Sequence, residues 1–321
     1  MKVKVKSPRS VLVIGSLNMD LVLQVPRMPL IGESLVGSSY SRIPGGKGAN
    51  QAVALARLGA KVTFAGKVGN DTDGEELVEN LNQNGIATEF VSKAEDSSTG
   101  LAVILLDSNE NNAITVFPGA NDELTIAEVE RVFARDRYDA LVLQLEIPDQ
   151  VIVASCRLAQ RAGIMTFLDA GPARPFPLEE LWGIDVLSPN ETEVLALTGI
   201  EVKSLADAKL AAAALITRTN AKAVVIKLGS SGALLRTRQG VCVHFPAYKV
   251  DVIDPTAAGD AFTAALAFRY LETGDFEESV LYANLAGALA TTRLGAGLAL
   301  PTALEIEQFR QRLPQKLEAH V

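Results

Sequence analysis

Asp254-Pro255-Thr256-Ala257-Ala258-Gly259-Asp260-Ala261-Phe262 is the stretch on which the reading of this chain turns. Before it, Tyr248 to Val252 has the alternating pattern of a strand; after it, an alanine-rich run reaching Leu271 has the composition of a helix. The segment therefore reads as strand, small-residue turn, helix start. The first amides of a helix lack intrahelical acceptors, and small side chains let an anion approach them closely. Asp260 is the unexpected residue there. It reads either as a first-turn acid that stabilises the helix dipole, or as a base placed beside a bound phosphate to take a proton from an attacking hydroxyl.

Outward from this segment, short β-branched runs alternate with helical stretches. Strands are expected at Val11–Gly15, Val62–Gly66, Ala140–Leu145, Ile164–Leu168, Ile184–Leu187 and Ala223–Leu228. Helices are expected at Lys47–Leu58, Asp73–Asn84, Ile126–Ala134, Gln150–Arg161, Glu191–Thr198, Ser204–Arg218 and Thr256–Leu271, with two more near Phe276–Thr292 and Thr302–Leu313. Gly59 and Gly85 stand where C-terminal helix caps belong. This alternation predicts an α/β fold of three layers, Rossmann-like, with a mostly parallel central sheet and helices on both faces. Two regions break it. Leu21–Val25 with Ser39–Pro44, and Gly100–Asp107 with Asn112–Phe117, read as strands joined without helices, the second pair through a turn at Ser108–Asn111. They predict a small separate sheet, from about 21–44 and 100–117, that serves as a lid or a dimer surface within one large domain spanning 1–321.

Composition narrows the function. With 321 residues and 48% hydrophobic content, the chain has ample core for such a domain. A formal net charge of -8 disfavours loose binding to nucleic acid or anionic membranes. No run approaches the ~20 apolar residues of a membrane span, and Val11 to Gly15 is too short for a signal-peptide core, so a cytoplasmic location is expected. Cys156 and Cys242, both in apolar runs, read as buried reduced thiols. Of the two histidines, His244 lies in the strand-like run Val241–Phe245 and His320 is penultimate, which leaves little for a histidine-based triad. Zinc signatures of the CxxC and HExxH kinds are missing.

Ligands of open α/β sheets bind beyond the carboxyl ends of the strands. Asn18, Asp20, Glu146, Asp169, Asn190, Glu193, Lys227, Gly229, Ser230 and Asp260 all fall at such ends, where each alone reads as an ordinary loop polar or cap and together they point at one crevice. Gly45-Gly46-Lys47-Gly48-Ala49-Asn50 reads as a glycine turn opening a helix, either a ligand-contacting loop or a flexible turn with a solvated lysine. It is not a Walker A loop, since Gly48 follows Lys47. Asn190 and Glu193, three apart, are suited to holding Mg²⁺ through water, and equally to a capping box. Gly229-Ser230-Ser231-Gly232 joins two strands, as a phosphate-binding turn or a plain hairpin; Asn70 to Gly74 fails the EF-hand register and reads as a helix start.

On two signatures, Gly45 to Ala52 (GGKGANQA) and Asp254 to Phe262, the chain resembles the ribokinase branch of the PfkB carbohydrate-kinase family. Gly15 to Asp20, Gln144 to Glu146, Pro189 to Glu193 and Lys227 to Ser230 support the likeness in family order across 11–301. The resemblance implies a ribokinase-like fold and ATP-dependent phosphorylation of D-ribose at its terminal hydroxyl, the 5-hydroxyl, giving ribose 5-phosphate. It also implies roles. Asn18, Asp20, Gly46, Lys47, Asn50 and Glu146 would hold the sugar. Asp260 would be the base, and the amides of Ala257, Ala258, Gly259 and Asp260 the anion hole. Asn190, Lys227, Gly229, Ser230, Gly232 and Asn284 would face ATP, with Asn190 and Glu193 organising Mg²⁺ through water. A monovalent cation, K⁺, would sit at Asp254, Thr256, Ala290, Arg293, Gly295 and Ala299; Ala299 departs from the family pattern, which often has a hydroxyl side chain there. The likeness leaves room for a sibling kinase acting on deoxyribose, another sugar or a nucleoside, and for a sugar-responsive binding protein on the same scaffold. A homodimer through the lid sheet is also expected.

Overall fold

The computed structural model describes residues 8–109 and 111–312. Glu110 of the expected hairpin turn, the Lys–Val alternation at the start, Leu313 and His320 lie outside them. In chain order the first half contains β1 (Ser10–Ile14), β2 (Asn18–Val25), β3 (Ser39–Gly45), α1 (Lys47–Leu58), β4 (Lys61–Gly69), α2 (Thr72–Gln83), β5 (Ala87–Ala94), β6 (Gly100–Asp107), β7 (Asn112–Phe117), α3 (Ile126–Arg135), β8 (Ala140–Leu143) and α4 (Asp149–Ala162). The second half contains β9 (Met165–Asp169), β10 (Val186–Ser188), α5 (Glu191–Thr198), α6 (Leu205–Thr219), β11 (Ala223–Lys227), β12 (Ala233–Thr237), β13 (Cys242–Phe245), α7 (Ala258–Thr273), α8 (Phe276–Ala290), α9 (Ala296–Ala299) and α10 (Ala303–Arg312).

Nine strands form the large sheet in the order β13-β12-β11-β10-β9-β8-β1-β4-β5. From β11 to β5 every pairing is parallel; β12 and β13 close one edge as antiparallel strands. Because successive side chains of a strand point to opposite faces, β1 feeds two cores. Val11 and Val13 pack with α1, α7 and α8 on one face, Leu12 and Ile14 with α3, α4 and α6 on the other. The helix α7 carries apolar side chains all round its first three turns and is buried there, from Asp260 to Phe268. Leu266, fully buried within it, is a site where truncation to Ala costs about 2–5 kcal/mol.

The separate sheet runs β3-β2-β6-β7, with β2 and β6 parallel and the outer pairs antiparallel. It matches the expected strands of the two irregular regions. Elsewhere the expectations hold to within a few residues, with three corrections. Tyr248–Val252 is not a strand: it has the right alternation, but the neighbouring sheet edge is already filled by β13, and the segment runs along a cleft with Val252 and Ile253 exposed. The helix after it begins at Ala258, not Thr256, because Ala257 sits in the left-handed region at φ 60°. Finally, β5 went unpredicted; it is an edge strand with interspersed polar residues. Cys156 is buried, with its thiol pushed up to about 12 by that burial, whereas Cys242 is only half-buried. Among the described residues, no helix is long and apolar enough to cross a membrane.

Candidate active site

The carboxyl ends of β10 and β11 open onto one cleft of about 1470 Å³. Its walls include Lys47 from the start of α1, Ala257, Ala258, Gly259 and Asp260 from the start of α7, and Asn190 and Glu193 from the start of α5. Lys227, Gly229, Ser230 and Gly232 line it from the β11–β12 turn, and Asn284 from α8.

Asp260 lies at the buried end of this cleft, 5% exposed. Its Oδ2 accepts from Asn50 Nδ2 at 3.0 Å and its Oδ1 from Gln51 Nε2 at 3.1 Å, while Lys47 Nζ stands 3.9 Å from Oδ1. Burial pushes its carboxyl up to about 6, with Asp169 adding to the rise and Lys47, Asn50 and Gln51 opposing it. The helix it opens has no side-chain cap. Ala258 N–H donates to Pro255 O at 3.2 Å, so one of the four amides expected in the anion hole is already engaged. Among the described residues, those of Ala257, Gly259 and Asp260 meet no protein acceptor.

At the other end, α1 begins at Gly46, whose φ of 92° suits glycine. A Cβ there would also come within 2.8 Å of the Asn18 amide nitrogen. This start is closed by Glu146, whose Oε2 accepts from Lys47 N–H at 3.0 Å and from the Ser16 hydroxyl. Ser16 Oγ in turn accepts from Gly48 N–H at 3.2 Å. Asn18 is buried with Oδ1 accepting from Asn121 Nδ2 at 2.8 Å, and with Glu146 it lines a smaller pocket of about 350 Å³. Asp20 packs over Gly45, where a Cβ would sit 2.3 Å from its Oδ2. Burial, then Glu146 and Asp260, push the Asp20 carboxyl up to about 7.

At the start of α5, Asn190 and Glu193 form a capping box. Glu193 N–H donates to Asn190 Oδ1 at 2.8 Å, Asn190 N–H to Glu193 Oε2 at 2.7 Å, and Asn190 Nδ2 to Glu193 Oε1 at 3.1 Å. With its oxygens so engaged, the box fits a cation held through water and not one ligated directly. Lys227 Nζ donates to Asp169 Oδ1 at 2.7 Å and stands 3.9 Å from Glu193 Oε2. Gly232 turns the chain with φ 97°, where a Cβ would meet Phe245 O at 2.0 Å, and Asn284 Nδ2 donates to the same carbonyl at 3.3 Å.

Asp254, Thr256 and Gly295, three of the residues expected to hold a monovalent cation, come together ahead of α7. Asp254 accepts from Thr256 N–H and Gly295 N–H, each at 2.9 Å, and the neighbouring loop is pinned by Ile253 N–H on Thr291 O. The carbonyls of Ala290 and Gly295 accept from the Arg293 and Ala299 amides, and the Arg293 side chain pairs with Glu305 at 2.6 Å.

A sequence profile of the pfkB family carbohydrate kinase matches residues 8–303. The chain belongs to the pfkB family. Within it, the chain is 36% identical over 306 residues to a ribokinase of Bacillus subtilis, covering 94% of this chain and 99% of that one. It is 35% identical over 304 residues to a deoxyribokinase of Salmonella typhi, covering 94% and 97%. A solved structure of Arabidopsis thaliana ribokinase complexed with ribose and ATP superposes with a TM-score of 0.86 at 31% identity, covering 94% of this chain and 99% of that one. The pfkB membership makes the chain an ATP-dependent sugar kinase.

Several site residues of this pfkB protein escaped sequence reasoning. Gln51, fully buried, donates from Nε2 to both Asp260 and Asp169 and accepts at Oε1 from Gln144 Nε2 at 2.7 Å. Asn121 fixes Leu17 N–H as well as Asn18. Ser16 joins Glu146 to α1. For Gln51 a signal existed: a polar residue on what the pattern makes the inner face of α1. For Asn121, which lies 104 positions from its partner Leu17, no local signal exists.

Proposed function

We propose that the chain transfers the γ-phosphoryl group of ATP to the 5-hydroxyl of D-ribose, with Asp260 as general base. The carrying observation is the pairing, at one helix start, of a buried, doubly held carboxylate with uncapped main-chain amides. Asp260 takes the hydroxyl proton as the new oxygen–phosphorus bond forms and the bond to the ADP oxygen breaks; such a base contributes about 10²–10⁴-fold. The free amides of the turn face the charge that moves.

Acceptor recognition falls to Asn18, Asp20, Gly46, Lys47, Asn50 and Glu146. Asn50 donates one amide hydrogen to Asp260 and keeps Oδ1 for a sugar hydroxyl; Glu146 keeps Oε1 in the same way. Lys227, Gly229, Ser230, Gly232 and Asn284 face the nucleotide. Mg²⁺ bound with ATP supplies positive charge to the phosphate oxygens. Asn190 and Glu193 would hold its waters. K⁺ is proposed at Asp254, Thr256, Ala290, Arg293, Gly295 and Ala299, where the Asp254 carboxylate provides the charge and main-chain carbonyls the remaining oxygens.

The small sheet, from about 21–44 and 100–117, is the proposed lid and homodimer surface of a single unit spanning the chain, in a cytoplasmic protein. Exposed Tyr40, Ile114, Val116 and Phe117 support that role. A monomer by sedimentation at micromolar concentration would remove the dimer.

Deoxyribose is the second reading, since a deoxyribokinase matches almost as well as the ribokinases do. An ATP-coupled assay over pentoses, hexoses and nucleosides tests both. The highest kcat/KM is expected with ribose. A higher value with deoxyribose or a nucleoside replaces the acceptor, and no turnover with any of them removes the kinase reading.

A further inference from the structure

Asp169 is a fully buried carboxylate at the end of β9 to which the reaction above gives no role. Its Oδ2 accepts from Gln51 Nε2 at 2.8 Å, and the second hydrogen of that same nitrogen goes to Asp260 Oδ1 at 3.1 Å. Its Oδ1 accepts from Lys227 Nζ at 2.7 Å. The Lys227 ammonium stands over the anion turn, since a Cβ at Gly259 would lie 3.9 Å from it. The orientation of the Gln51 amide is fixed, because reversing it would set an oxygen against two carboxylates. Gln144 Nε2 donating to Gln51 Oε1 at 2.7 Å agrees with that assignment.

We propose that Asp169 and Gln51 are the positioning residues of this site: one amide nitrogen locks the base to Asp169, and Asp169 in turn holds Lys227 beside the phosphate-binding turn. Base and phosphate-side cation are thereby fixed relative to one another through a single buried carboxylate. Neither residue is placed to touch sugar or nucleotide, so both act through others. The inference rests on Asp260 being the base.

The charged groups around Asp260 are Lys47 from α1, Asp20 from β2, Glu146 beyond β8, Asp169 from β9, Glu193 from α5 and Lys227 from β11; α8, packed along α7, presents the neutral Asn284 and Gly287 here. Within that set the two proposed residues act on the base with opposite sign. The negative charge of Asp169 makes Asp260 harder to ionise, and the Gln51 donor makes it easier.

The test is the pH profile of kcat/KM with ribose and ATP, on the full chain, for Asp169→Asn and Gln51→Met. The acid limb reports the ionisation of the free enzyme's base. It is expected to move down by about one pH unit in Asp169→Asn and up by about one in Gln51→Met. In both variants kcat is expected to fall about 10²-fold from lost alignment, with the dissociation constant for ribose within about twofold of the parent. Limbs that stay in place, or that move in the same direction, overturn the proposal. If Asp169→Asn does not fold, Gln51→Met decides alone, by an upward limb or an unmoved one. Asp260→Asn separates the two levels. If it keeps turnover, the base reading fails; if it is inactive while both positioning variants behave as the parent, only the positioning proposal fails.

Discussion

Of the helices that open onto the cleft, α1 and α7 start in opposite ways. In α1 the first amides are closed off: the Glu146 carboxylate takes the Lys47 N–H, and the Ser16 hydroxyl takes the Gly48 N–H. In α7 no side chain caps the start, and the Gly259 and Asp260 amides are left bare among the described residues. An uncapped helix start forgoes about 1 kcal/mol of stability. The chain accepts that loss at α7 and avoids it at α1, although both ends face the same crevice. On the proposed function, the difference separates a structural start, whose partner keeps one oxygen for a hydroxyl, from a start left open for an anion.

The strongest way to break this contrast is to remove the acid at the bare start. Asp260→Asn should lower kcat by about 10²–10⁴-fold, while calorimetric titration with ribose shows binding retained; surviving turnover removes Asp260 as base. Next, Ala257→Asp puts a permanent negative charge where the open amides point. KM for ATP should rise about tenfold or more, the effect of roughly 1.4 kcal/mol of repulsion, with the KM for ribose little changed; an unchanged KM for ATP would mean that the phosphates bind elsewhere.

The acceptor end is sharpened by Asp20→Asn. The folded-state values of about 7 for Asp20 and about 6 for Asp260 both lie above the ordinary 3.8. Between about pH 4 and 7 the native state therefore binds protons that the unfolded chain releases, and each of the two groups disfavours the native state progressively as pH rises through that window. Asp169 and Asp254, both held low, act in the other direction. The difference between variant and parent isolates Asp20. Asp20→Asn should melt at least about 2 °C higher at pH 8, and the gap should close by pH 4; a gap independent of pH contradicts the assignment. Ala257→Gly carries the smallest expected change. A non-glycine residue at φ 60° is strained, and relief offset by added unfolded-state entropy should stabilise the chain by up to about 1 kcal/mol in urea titration. A loss of stability would show that the alanine methyl packs usefully.

Much of this was legible in the sequence, because helix and strand periods are local. The span Lys47–Leu58 was read to the residue from a glycine turn and the following apolar stripe. The rule about strand ends brought together Asn190, Glu193, Lys227, Gly229, Ser230 and Asp260, whereas Asn18 and Glu146, grouped with them, line a second, smaller pocket. Tyr248–Val252 misled because a strand needs a neighbour as well as a pattern, and β13 had taken the place. Asp169 was visible as one more polar residue after a strand. Its partners, Gln51 and Lys227, are 118 and 58 positions away, and only the packed sheet brings them within hydrogen-bond reach.

The shortest strand-to-strand link between the two sheets is three residues long. Ile14 ends β1 in the large sheet, and Asn18 already belongs to β2 in the small one. Between them, the Ser16 hydroxyl grips Glu146 and the Leu17 amide donates to Asn121 Oδ1 at 2.9 Å. So short a tether has no slack. Any swing of the outer strands would be delivered as a pull on the carboxylate proposed to face the incoming alcohol, and a ligand seated against that carboxylate would, by the same lever, set the angle of the strands above it.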